Sequence, residues 1–295
     1  MLDLKQLQYF IAVTEQMNFS KAAEKLHISQ PSLSNAIKKL EQEIGSPLLK
    51  RNTRNLQLTE AGELLYERAK VILKNMEVLK IEMDEVIVHG TSEVTIGVME
   101  SIKHWLPKVI ANYKKDYPQM MIHLVDILGS KRVKKSLKSY KTHVIITNQR
   151  MDDDELEVQS LYEERLVAVL PLNHPLAEKD RLTFADLCNE PFIISTEGFQ
   201  TRLDILSAFE QANVKMNIQY EIERFETAVS LVRENLGITI LPENYLQGPT
   251  AKTIVQKEID GPNLRRNVYL VSLKNRHLPL AIRHLLANIV QFFES

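Results

Sequence analysis

Between Phe19 and Arg54 the chain sets out two short amphipathic segments, a tight turn between them and a basic hairpin behind them, a layout that admits few folds besides a helix–turn–helix with a wing. Ser20 predicts the N-cap of a first helix, Lys21 to Leu26, because its hydroxyl can accept from first-turn amides that have no partner within the helix. That helix is expected to end near His27. Ser29 predicts the cap of a second helix, and Pro31 suits its first turn, where a missing N–H costs nothing. Leu33, Ile37 and Leu40 then recur at helical spacing and face inward, which turns Gln30, Ser32, Ser34, Asn35 and Lys38 to solvent on a face without acids. Gly45-Ser46-Pro47 reads as a turn. Leu48-Leu49-Lys50-Arg51 and Leu56-Gln57-Leu58 read as two short strands around Asn52-Thr53-Arg54-Asn55.

Small polar side chains at the start of a helix suit the major groove of double-stranded DNA: Gln and Asn can pair bidentately with adenine, while Ser and Lys reach phosphates or base acceptors. From Ser20 to Arg54 the bases Lys21, Lys25, Lys38, Lys39, Lys50, Arg51 and Arg54 face three acids, Glu24, Glu41 and Glu43, a local excess of four in a chain of net charge −1. Concentrated positive charge attracts the phosphate backbone whatever the overall balance. A basic patch is ordinarily a solvated face; here its coincidence with capped helices and a wing points to a DNA reader.

The run Phe19-Ser20-x-Ala22-Ala23-x-x-Leu26-His27-x-Ser29-Gln30-Pro31-Ser32-Leu33-Ser34, followed by Ile37-x-x-Leu40-Glu41 and Gly45-x-Pro47-Leu48, resembles the LysR-type transcriptional regulators. The match is close over roughly the first sixty residues. The remainder follows more loosely the family's layout of a long dimerisation helix and a periplasmic-binding-protein-like effector domain. The resemblance implies that Ser29, Gln30, Pro31, Ser34, Asn35 and Lys38 lie in or beside the major groove and that Arg54 reaches a neighbouring minor groove or its phosphates. Ser20, Ser32 and Arg51 complete the expected DNA contacts. Asn35 departs from the Arg that many members carry at this place.

From Thr59, a further cap, a helix runs without Pro to about Val88. Leu65, Ile72, Met76, Leu79, Met83 and Val86 fall mostly three or four apart along it, close to a heptad seam. Such a seam needs a partner, and a second copy would present two recognition helices to a two-fold related site. The expected divisions are 1–58 for the winged helix–turn–helix, 59–89 for the linker helix and 90–295 for the effector domain. After the boundary at His89-Gly90-Thr91-Ser92, short apolar strands near 94–98, 122–126, 143–147, 166–170, 192–195, 218–222, 238–241 and 268–272 alternate with helices near 102–117, 131–139, 201–212, 226–235 and 279–294. This is the pattern of a largely parallel α/β sheet. It divides into lobe I, 90–161 plus 268–295, and lobe II, 162–267, with two crossings that imply a hinge.

Two-lobe α/β units bind ligands where strands end, in the crevice between the lobes. The expected effector contacts are Met99, Glu100 and Ser101 after the first strand, Ser130 after the second, Thr196 and Arg202 near the start of the 201–212 helix, and Phe225 near Glu226 and Thr227. Helix starts favour anions, and Arg202 could clamp a carboxylate. Each Ser or Thr can equally be a simple cap. His143, His104 and Lys103, if turned inward, would add positive charge and favour a small carboxylate or phosphate.

The rival classes find less support in the residues. Cys188 has no His nearby, the eight His residues show no metal-ligand spacing, and no phosphate loop or nucleophile elbow occurs. Asp152-Asp153-Asp154-Glu155 lacks the turn-forming Gly of a cation loop and reads as solvated. No enzyme activity, cofactor or metal is therefore expected. A solute-binding protein shares the two-lobe layout, but Met1-Leu2-Asp3-Leu4-Lys5 leads into a helix with no export signal, and the unpaired Cys188 fits a reducing compartment. No apolar run approaches the roughly twenty residues that span a bilayer. The expectation is a cytoplasmic, homo-oligomeric regulator, a homodimer or by family resemblance a homotetramer, that binds an inverted-repeat operator and a small-molecule effector and can contact RNA polymerase.

Overall fold

The computed structural model describes residues 2–51, 56–87, 93–262 and 264–294. The chain divides into two compact units, residues 1–84 and 85–295. In the first, α1 (Leu4–Gln16) opens on a capping box in which Asp3 accepts from the Gln6 amide at 2.7 Å and Gln6 accepts in return from the Asp3 amide. The next helix, α2 (Phe19–Lys25), is capped by Asn18, whose side chain accepts from the Lys21 amide at 3.0 Å. Ser20 is thus not the cap. Half-buried Phe19, packed on the unit's core, starts the helix two residues earlier than expected. The third helix, α3 (Gln30–Ile44), ends at Gly45 in the left-handed region, φ 76°, and the wing follows as antiparallel β1 (Leu49–Arg51) and β2 (Leu56–Leu58). Fully buried Phe10, Val13, Leu33, Ile37, Leu40 and Leu48 form the core.

Helix α4 (Glu60–Ile87) has 28 residues, about 42 Å at 1.5 Å per residue. Thr59 ties it to the wing: its hydroxyl donates to the Pro47 carbonyl at 2.7 Å and accepts from the Gly62 amide at 3.0 Å. A Cβ at Gly62 would come within 2.1 Å of the Leu48 carbonyl oxygen, so only glycine allows this approach. Ile72, Met76, Leu79 and Met83 of the expected seam are exposed, and so are Leu64, Val71 and Ile87.

The second unit contains β3 (Glu93–Val98), α5 (Leu106–Asp116), β4 (Met121–Asp126), α6 (Ser130–Lys138), β5 (Val144–Thr147), β6 (Leu156–Leu170), β7 (Leu182–Thr183), α7 (Phe184–Leu187), β8 (Pro191–Ser195), α8 (Gln200–Gln211), β9 (Asn217–Ile222), α9 (Phe225–Arg233), β10 (Ile238–Pro242), β11 (Val255–Lys257), β12 (Ile259–Asp260), β13 (Arg265–Leu273) and α10 (Leu280–Glu294). Its main sheet runs β4-β3-β5-β13-β6-β10-β8-β9, with β11 also on β6. Within lobe I β4, β3 and β5 are parallel, and within lobe II β10, β8 and β9 are parallel. The strand expected at 166–170 is the second half of a 15-residue strand. The first half of β6 pairs antiparallel with β13 up to Arg165, and the second half pairs with β10 from Leu166. The pairing of β6 with β13 shifts register between Val268 and Tyr269, where Leu161 is the extra residue. These two strands are the crossings between the lobes.

Alternate residues of the lobe II strands enter different cores, Phe192 and Ile194 on one face and Ile193 on the other, because helices cover both faces. Lobe I is closed by α10, where Tyr113 donates to the Ala281 carbonyl at 3.1 Å and Trp105 stacks on Phe292 and meets Phe293 edge-on. No helix among the described residues is long and apolar enough to cross a membrane.

Candidate functional site

The start of α3 is built as a capped, polar, acid-free face. Ser29 accepts from the Ser32 amide at 3.3 Å and Pro31 lies in the first turn. With Leu33, Ile37 and Leu40 buried, Gln30, Pro31, Ser32, Asn35 and Lys38 are exposed together, and Ser34 is half-buried beside them. Ser20 is exposed on α2. Arg54 lies outside the described residues, as does the side chain of Arg51. Glu41, one of the local acids, is turned away from this role: its carboxylate accepts from the Leu48 and Leu49 amides at 2.8 and 3.2 Å and fastens α3 to the wing.

In the second unit the ends of β3, β4 and β5 meet the starts of α8 and α9 around a cavity between the lobes. Met99, Glu100, Ser101, Asp126, Gly129, Thr147, Gln200, Thr201, Glu223, Arg224, Phe225 and Arg266 are among its lining. Ser130 and Thr196 line an adjoining outer recess with Lys131, Arg132 and Gly198. Six of the seven expected effector residues therefore border one connected region. Ser101 is 1% exposed, and its hydroxyl has no hydrogen-bond partner among the described residues. The cap positions of α6 and α8, Gly129 and Phe199, make no side-chain capping bond, so backbone donors of two helix starts border the same space.

Arg202 borders neither recess. It donates to the Ser195 carbonyl at 2.8 Å and pairs with Glu221 at 2.9 Å, binding α8 to β8 and β9 instead of offering itself as a carboxylate clamp. The side chain of a first-turn residue turns back along its helix, which here leads onto the strand ends. The three expected inward cations also face elsewhere. His143 accepts from the Thr95 amide at 3.0 Å and secures β5 to β3. His104 Nε2 lies 3.0 Å from the Tyr245 carbonyl oxygen, and Lys103 Nζ stands 3.4 Å from the centre of the Tyr245 ring. Burial pulls the Lys103 ammonium below its ordinary value, opposed by Glu100 and Glu226.

Two arginines do reach the cavity, and both are paired. Arg224 binds Asp126 across the lobes at 2.7 Å on an exposed rim. Arg266, almost wholly buried, donates to Glu164 at 2.8 and 2.9 Å, to Thr201 at 2.9 Å and to Asp204 at 3.0 Å, joining the hinge strands to α8 at the cavity floor. Sequence reasoning missed Arg266 because Leu264-Arg265-Arg266 carries no motif and precedes the apolar part of its strand. The sulfur of Cys188 lies 3.1 Å from the Ala185 carbonyl oxygen.

Two family models cover the chain: "Bacterial regulatory helix-turn-helix protein, lysR family" matches residues 4–63 and "LysR substrate binding domain" matches residues 89–294. The Hca operon transcriptional activator HcaR of Escherichia coli is 33% identical over 293 residues, covering 98% of this chain and 97% of its own length. HinK, a LysR family transcriptional regulator of Pseudomonas aeruginosa, is similar in structure with a TM-score of 0.60 at 25% identity, over 99% of this chain and 98% of that one. The effector binding domain of QuiR in complex with shikimate has a TM-score of 0.61 at 23% identity, over 68% of this chain and 97% of that domain, and shares the fold.

Proposed function

The chain belongs to the LysR-type family of DNA-binding transcriptional regulators, and we propose that α3 reads an inverted-repeat operator while the two-lobe unit senses a small metabolite. The observation that carries the DNA assignment is the α3 face itself: seven residues from Ser29 to Lys38 with a capped first turn, an apolar back and no acid among them. Gln30, Ser32, Ser34 and Asn35 approach base edges, Ser29, Pro31 and Lys38 sit beside the groove, and Ser20, Arg51 and Arg54 contact backbone or minor groove. The functional divisions are 1–58 for DNA binding, 59–89 for the linker and 90–295 for effector binding.

Two copies pair through the exposed apolar stripe of α4 and set two α3 helices on two-fold related half-sites. Two such dimers form a tetramer, the protein works in the cytoplasm, and it contacts RNA polymerase from the operator. Its role is regulatory and not catalytic. The rival readings, a solute-binding sensor or an enzyme, give no task to the α3 face.

The effector places an acceptor group, a carboxylate or phosphate, against the first turns of α6 and α8 and the hydroxyl of Ser101. Support comes from two helix starts without side-chain caps and from a buried hydroxyl without a partner among the described residues, both on one cavity. Met99 and Phe225 supply its apolar wall, and Ser130 and Thr196 its outer rim.

The direct test is footprinting and gel shift of the purified protein on the intergenic DNA upstream of its own gene, across a salt series. Protection of an inverted repeat by the wild type, weakened about tenfold or more in Gln30→Ala at unchanged thermal stability, is the expected outcome, since one bidentate base contact contributes roughly 1–3 kcal/mol. Binding that depends on salt alone and ignores Gln30 would remove α3 from the reading role.

A further inference from the structure

The 3-10 turn Glu100–His104 belongs to lobe I, yet three of its five side chains end on lobe II. The Glu100 carboxylate accepts from the Phe225 amide at 2.9 Å and from the Glu226 amide at 3.4 Å. Lys103 covers the Tyr245 ring and His104 reaches the Tyr245 carbonyl oxygen. Helix α9 starts at Phe225, and its own cap residue, Arg224, makes no side-chain capping bond. Glu100 therefore supplies from across the cleft what an N-cap residue ordinarily supplies from the same segment, with a full negative charge at the positive end of the helix. Burial together with the neighbouring Glu100 carboxylate pushes the Tyr245 phenol well above its ordinary range.

We propose that Glu100 is a positioning residue, a built-in anion that clasps lobe I to the first turn of α9. Charge-assisted hydrogen bonds to backbone amides are stronger than neutral ones, and separating the lobes would leave the α9 amides and the carboxylate to find water instead. The other bridge at this rim, Arg224 to Asp126, is exposed on both sides and adds little. The clasp also gives α9 a different standing from α6 and α8. Its first turn is taken by the protein's own carboxylate, so an acceptor group of a ligand is directed to the other two helix starts.

The inference stands on the lobe geometry and is tested without DNA or ligand, so its failure leaves the operator experiment untouched. Amide hydrogen exchange of the ligand-free full-length protein, resolved to Phe225 and Glu226 with overlapping peptides, is the measurement. First-turn amides of a helix ordinarily exchange fast because they lack intrahelical partners. In the wild type these two should be protected, in Glu100→Ala they should exchange about tenfold faster, and Glu100→Gln, which keeps an acceptor but not the charge, should fall between. Strands 166–170 and 238–242 should exchange equally in all three proteins, which separates loss of the clasp from loss of folding. Unprotected amides at Phe225 and Glu226 in the wild type, or equal protection in Glu100→Ala, would overturn the proposal; if Glu100→Ala does not fold, protection in Glu100→Gln equal to that of the wild type overturns it.

Discussion

At Asp186 one carboxylate performs two local tasks. It pairs with Lys179 at 2.6 Å and accepts from the Thr183 amide at 2.8 Å, closing the capping box of α7. The hydrogen bond from Lys179, with that of the Thr183 amide behind it, holds this carboxyl below its ordinary value of 3.8. A folded-state value below the unfolded one means stabilisation that is present above the ordinary carboxylate range and is lost as pH falls through the folded value. Asp186→Asn should therefore lower the melting temperature at pH 7, and the difference from wild type should shrink as the pH falls below about 4. Differential scanning fluorimetry across pH tests this; a gap that persists in strong acid would assign the effect to packing. Single residues also show where a sequence is ambiguous. Asn18 and Ser20 are both good caps, and the choice between them falls to Phe19, whose ring has to reach the core of the first unit. Ser29 had no such competitor next to it, and it is the cap.

Among the elements, α3 and α4 were legible because their apolar positions repeat at helical spacing and their ends carry caps. The first half of β6 was not. Glu157, Gln159, Ser160, Glu163 and Glu164 interrupt its apolar character, and pairing with β13 holds this stretch extended through contacts distant in sequence. The site residues divide in the same way. The places of Ser101 and Ser130 just after strands β3 and β4 are legible locally, although Ser101 lies within a 3-10 turn and the helix expected from residue 102 begins at Leu106, whereas the commitments of Arg202 to Glu221 and of Arg266 to Glu164 depend on strands brought together by topology. On α4 the exposed Ile72, Met76, Leu79 and Met83 form a stripe that a lone helix would leave in water. Leu79→Glu, a charge in the middle of that stripe, should convert the proposed dimer to monomer at micromolar concentration and abolish two-site operator protection. Sedimentation velocity reads the first effect and footprinting the second; an unchanged sedimentation coefficient would place the pairing surface elsewhere.

At the scale of the molecule, sensing needs the cavity to hold a ligand better in one lobe arrangement than in the other, since differential affinity alone shifts such an equilibrium. Titration of the wild type with small carboxylates and phosphates, read by thermal shift, should find compounds that stabilise it. For any such compound Ser101→Ala should weaken binding about tenfold, and Ser101→Ala with Thr196→Ala should cancel its influence on operator affinity while ligand-free DNA binding stays intact. A retained response in the double variant would move the ligand away from this cavity. The hinge strands add one last consequence. The second unit begins its sheet with β3 in lobe I and closes with α10 in lobe I, while lobe II is suspended between β6 and β13. Lobe II is therefore a pendant: the covalent chain leads from the DNA-reading half into lobe I first, and lobe II's position is passed to lobe I through the two hinge strands and through the contact of Glu100 with the start of α9.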